Sequence, residues 1–62
     1  MLKNRERTFN GKQFVLHDTY DTKQEARVAA QSLKERGYYY RILGGSDGVK
    51  VWVSRYPMFY YT

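Results

Sequence analysis

The sequence predicts an α+β domain with the order ββαββ: a four-stranded, mainly antiparallel sheet with one helix packed on one face. Three observations carry that prediction. Asn10-Gly11 lies between two strand-like runs. Thr22-Lys23-Gln24-Glu25 opens an apolar stripe of helical spacing that stops at Gly37. Two alternating runs then follow, residues 38–43 and 49–55, on either side of Gly44-Gly45-Ser46-Asp47-Gly48.

Each element has a local reason. Asn-Gly is a strong hairpin signal, because a type I′ turn needs positive φ at both central residues. Residues 5–9 lead into it and residues 12–17 lead out. Alternation puts Phe14 and Leu16 on one face of the second strand, with Gln13, Val15 and His17 on the other. Phe9, Phe14 and Leu16 are expected inward. Residues 18–21 read as a polar connection. Thr22 with Glu25 matches a capping box, so the helix is expected over 23–36, with Gly37 as its left-handed terminator. Ala26, Ala29, Ala30 and Leu33 recur at i, i+3, i+4 and i+7 and draw one apolar stripe. Small side chains there let a sheet approach closely. In the second hairpin Val49, Val51 and Val53 share one face, and Lys50, Trp52 and Ser54 share the other. The valine face is expected under the helix. Pro57 cannot donate to a ladder and closes the last strand.

The chain has 62 residues, which suits one domain, expected over 1–56, followed by an aromatic tail at 57–62. A domain of this size buries only about 60% of its unfolded surface. With no Cys and His17 as the only His, neither disulfides nor a closed zinc site, which takes about four Cys or His ligands, reinforces it. Aromatic packing or self-association is left to do so. Seven Tyr, three Phe and one Trp make up 18% of the chain, too much for a disordered segment. No stretch reaches the ~20 apolar residues of a membrane span. The charged start, Met1-Leu2-Lys3-Asn4-Arg5-Glu6-Arg7, is not followed by the apolar run of a signal peptide. A cytoplasmic protein that does not enter membranes is the expectation.

Catalysis is not expected. There is no Cys nucleophile, and Ser32, Ser46 and Ser54 fall on a helix, a turn and a strand with no motif joining them to His17. The glycine cluster lacks the Gly-Lys-Ser/Thr ending and the following helix of a phosphate loop, so it reads as a hairpin turn. Asp18 and Asp21 suit turn and helix capping better than a cation. No metal or cofactor is assigned.

The charge balance favours a polyanionic partner. Eleven Lys and Arg stand against six Asp and Glu, a net +5, and excess positive charge attracts polyanions without specifying fold. Alternation sends Tyr39, Arg41, Lys50 and Trp52 to the face opposite the helix. Tyr39 and Trp52 offer rings on which bases stack, and Arg41 and Lys50 offer charge, the combination that binds single strands. Lys12 and His17 border the same sheet. Nucleic acid, DNA or RNA, is the expected partner of these four residues. A second basic surface lies on the helix at Lys23, Arg27 and Lys34, diluted by Glu25 and Glu35. The alternative is a protein-interaction or homodimer-forming module without nucleic acid, in which the tail or a second copy covers Tyr39 and Trp52.

Residues 22–56 also have a recognisable cadence. Asp-Thr-Lys-Gln-Glu-Ala-Arg opens a helix that ends Leu-Lys-Glu-Arg-Gly-Tyr, and a Gly-rich turn leads to Val-Lys-Val-Trp-Val. This resembles half of a SPOR-type repeat, the βαββ unit of bacterial domains that bind septal peptidoglycan. It is also similar to small uncharacterised archaeal and phage proteins. The resemblance implies a capped helix followed by a hairpin. The chain departs from the SPOR pattern in having no second helix and no export signal, so no binding residue is carried over.

Overall fold

Local turn and cap chemistry sets the order of elements. The computed structural model describes residues 5–62; residues 1–4, the start of the expected 1–56 domain, lie outside the described residues. Strand β1 (Glu6–Phe9) turns at Asn10 and Gly11, with φ of 50° and 76°, into β2 (Lys12–Tyr20). Both signs match the turn that Asn-Gly favours. Helix α1 (Lys23–Glu35) begins at Thr22, whose hydroxyl oxygen accepts from the Glu25 N–H at 3.2 Å and donates to the Glu25 carboxylate at 3.1 Å. It ends at Arg36, and Gly37 follows at φ +90°. Thr22→Ala is expected to cost about 1 kcal/mol, measured as a lower midpoint in thermal unfolding.

Strand β3 (Tyr40–Gly45) and strand β4 (Gly48–Ser54) complete an antiparallel sheet of order β1-β2-β4-β3. The fold is the predicted α+β arrangement of four strands and one helix. Both strands of the second hairpin are shifted from the expected 38–43 and 49–55. The loop of the second hairpin is only Ser46-Asp47, because Gly45 pairs with Gly48. Tyr38 and Tyr39 stay outside β3, and the Tyr39 N–H donates to the Ser54 hydroxyl at 3.1 Å. Beyond β4, Met58–Tyr61 form a 3-10 helix. Among the described residues no helix is long and apolar enough to cross a membrane.

Residues 18–20, read from sequence as part of a connection, belong to β2. Leu16 pairs with Trp52 but Asp18 pairs with Val51, so His17 is an extra residue in the ladder. A bulge of this kind leaves one residue unpaired and shifts the alternation. Asp18 and Tyr20 thereby move to the helix side. Tyr20 packs with Ile42 and Val53 against the core beneath α1, which holds Ala26, Ala30, Leu33, Val49 and Val51. The alanine stripe meets the valine face, as the spacing predicts. Ala29 sits at the margin, half-buried.

The inward placement of Phe9, Phe14 and Leu16 is corrected in its direction. Phe9, Phe14 and Leu16 do not point at the helix. Arg7 pairs with Phe14, Phe9 with Lys12, Phe14 with Ser54 and Leu16 with Trp52. All of them lie on the face that α1 leaves uncovered. There they build a second, smaller cluster. Phe14 and Trp52 are 3% and 2% exposed, and Phe9 packs edge-on to both rings at 5.2 and 6.2 Å. A short two-layer domain thus buries apolar side chains on both faces of its sheet.

Candidate nucleic-acid interface

The β register sorts the charges. Cross-strand partners share a face, and successive residues alternate. Arg7 (with Phe14), Lys12 (with Phe9), Arg41 (with Trp52) and Lys50 (with Leu43) therefore all lie on the face away from α1. The carboxylates go elsewhere. Glu6 pairs with Val15 and Asp18 with Val51, both on the helix side. Asp21 precedes α1, and Glu25 and Glu35 are in it. Burial, and then the charges of Asp18 and Glu25, raise the Tyr20 phenol above its ordinary value of 10.0, which agrees with both carboxylates lying near the helix core. Asp47, in the second turn, is the exception. It meets Lys50 at 3.7 Å, the one ion pair among the described residues. An exposed pair of this kind contributes little.

The cations rest on aromatic rings. The Arg7 guanidinium lies 5.3 Å from the Trp52 ring centre, and that of Arg41 lies 4.8 Å from Phe9. The Lys12 ammonium is 5.0 Å from Tyr39 and 5.3 Å from Tyr61. Such contacts hold long side chains in place and contribute about 0.5–1 kcal/mol each at exposed sites. Arg7 and Arg41 remain exposed to solvent, with their charge available to a ligand. A cleft of about 330 Å³ lies between Arg7, Lys50 and Trp52 and the glycines of the β3–β4 turn.

The four residues singled out from sequence meet different fates. Arg41 and Lys50 are on the uncovered face, as alternation requires. Trp52 is on that face too, but Phe9 and Arg7 lie against it, and it is buried. No base can lie flat on a ring that is 2% exposed. Trp52 is a packing residue, and its indole N–H has no acceptor among the described residues. Tyr39 is half-buried between Lys12 and Tyr61. Tyr61 of the tail does contact Tyr39, whereas the cover over Trp52 comes from β1. Arg7 was missed. The signal was present: a two-residue turn at Asn10-Gly11 pairs Phe9 with Lys12, which sets Arg7 beside Phe14. Among the described residues no group of three or more His, Asp and Glu side chains gathers at His17, Asp18 and Asp21.

The chain matches no protein-family model, no curated protein and no solved structure.

Proposed function

We propose that this domain binds nucleic acid through the basic face of its sheet. One observation carries the reading. The strand register gathers Arg7, Lys12, Arg41 and Lys50 on one face and directs all but one carboxylate of the described residues to the other side or to the helix. A surface of one sign attracts the opposite charge and concentrates it nearby. Spaced cations on a sheet suit a repeating phosphate backbone, and guanidinium groups held over rings keep their N–H donors free for phosphate oxygens. Base identity is not read by such contacts, so the expected binding is sequence-tolerant.

The test is a salt titration of oligonucleotide binding. Each phosphate contact releases counterions, so affinity falls steeply with salt. Arg7→Ala, Arg41→Ala and Lys50→Ala should each weaken binding and flatten the slope of log affinity against log salt by about one. The midpoint of Lys50→Ala should stay close to that of the wild type, and those of Arg7→Ala and Arg41→Ala should fall by about 2–8 °C with their ring contacts, leaving all three folded at room temperature. A protein with no measurable binding even at low salt would end this proposal. Slopes unchanged in all three variants would move the contact elsewhere, with Lys23, Arg27 and Lys34 on α1 the next surface to test.

A further inference from the structure

We infer that the C-terminal 3-10 turn is a base-stacking platform, which makes the protein prefer single-stranded to duplex nucleic acid; this rests on the nucleic-acid reading above and assigns a second site to it. The rings of Tyr56, Tyr60, Tyr61 and Tyr39 touch in succession as a ladder: Tyr56 is stacked on Tyr60 at 4.3 Å, Tyr60 meets Tyr61 edge-on at 5.3 Å, and Tyr61 is tilted against Tyr39 at 5.8 Å. Cations stand at both ends. Arg55 lies 5.6 Å from Tyr56, and Lys12 lies over Tyr39 and Tyr61. Lys12 also belongs to the basic sheet face. The ladder therefore continues that face without a break.

The tail is held in place and its tyrosines pack on one another, yet Phe59 and one side of Tyr60 are left facing water. The Met58 N–H donates to the Gly37 carbonyl at 2.7 Å. The buried Ser54 hydroxyl donates to the Tyr56 carbonyl at 2.7 Å and accepts from the Tyr39 N–H. These bonds fix the ends of the ladder relative to the sheet. No residue of the turn is buried, and Phe59 and Tyr60 are 77% and 60% exposed. Large apolar rings presented to water on an anchored turn are arranged for contact. The surrounding charge selects the occupant. Neither Lys12 nor Arg55 has a carboxylate partner among the described residues, so a second copy docked two-fold on this patch would bring like charges together. An anionic chain with unstacked bases satisfies both the rings and the cations. In a duplex the base faces are occupied by one another, and the platform has nothing to receive.

The experiment compares a short labelled oligothymidine with the same strand annealed to its complement, using fluorescence anisotropy. The wild type should bind the single strand more tightly. Phe59→Ala combined with Tyr60→Ala should lower single-strand affinity roughly tenfold or more, while duplex affinity and salt slope stay unchanged and the melting midpoint falls only by the loss of the Tyr60 contacts to Tyr56 and Tyr61. Tyr60→Leu keeps apolar bulk without a ring, and it should lose affinity as well. If the double variant binds the single strand like the wild type while Arg41→Ala still weakens binding, the platform is refuted and the basic face stands. If the wild type binds neither probe, both readings fall. If the double variant instead changes the sedimentation mass from dimer to monomer, the patch is a self-contact and the stacking proposal is wrong.

Discussion

Trp52→Ala is expected to destabilise the protein by about 3–5 kcal/mol, the usual loss when a buried Trp is truncated. The indole fills the centre of the cluster on the uncovered face. It lies against Phe9, pairs across the sheet with Leu16 and Arg41, and carries Arg7 over its ring. Removing it leaves a gap that short strands cannot close. A chain of this length has a total stability of only about 3–9 kcal/mol at the usual 0.05–0.15 kcal/mol per residue. The variant should therefore be partly or wholly unfolded at room temperature, as measured by urea titration followed by circular dichroism. Trp52→Phe should lose less. Oligonucleotide binding should leave the wild-type Trp52 emission nearly unchanged, since no base reaches the ring. Strong quenching on binding, with an unaltered midpoint in Trp52→Ala, would return Trp52 to the interface.

Gly48→Ala is expected to cost about 3 kcal/mol or more. Two penalties add at this residue. Its φ is +119°, outside the range that side chains tolerate well, a strain of about 1–3 kcal/mol. A Cβ there would also lie 2.8 Å from Thr19 Cγ2 and 3.0 Å from the Tyr20 carbonyl oxygen. Crowding of this kind costs about 1–3 kcal/mol, and a carbonyl in a strand cannot move aside cheaply. Gly44→Ala is the control. A Cβ at Gly44 meets nothing within 4 Å, so its melting midpoint should barely move. At about 4–8 °C per kcal/mol for a small domain, the two variants should separate clearly in a thermal melt. Equal midpoints would show that the β2–β4 contact at Gly48 is looser than these distances imply.

Both variants act on contacts that are invisible along the chain, and this divides what could be read early from what could not. The hairpin at Asn10-Gly11, the Thr22 cap, the Gly37 terminator and the alanine stripe of α1 all depend on residues within one or two turns of each other. Dihedral preference and capping bonds act at that range, so the class and order of elements follow from the letters. The faces of β3 and β4 were equally legible, because a strand alternates with period two wherever its ladder is regular. That is why Arg41 and Lys50 fall on the expected side.

The rest depended on which strands meet. The order β1-β2-β4-β3 brings the first hairpin beside β4 and sets Phe9 against Trp52; a different order would have left the indole open, as its position in the sequence suggested. The extra residue at His17 reverses the alternation of β2 and delivers Tyr20 to the helix core, and nothing in the letters of 12–20 marks the bulge. Whether a ring is a stacking surface or part of a core is likewise a matter of what covers it. Cover comes from residues distant in sequence, such as Arg7 over Trp52, whose approach is set by sheet pairing. Local preferences choose the elements; non-local hydrogen-bond register decides which side chains are left facing water.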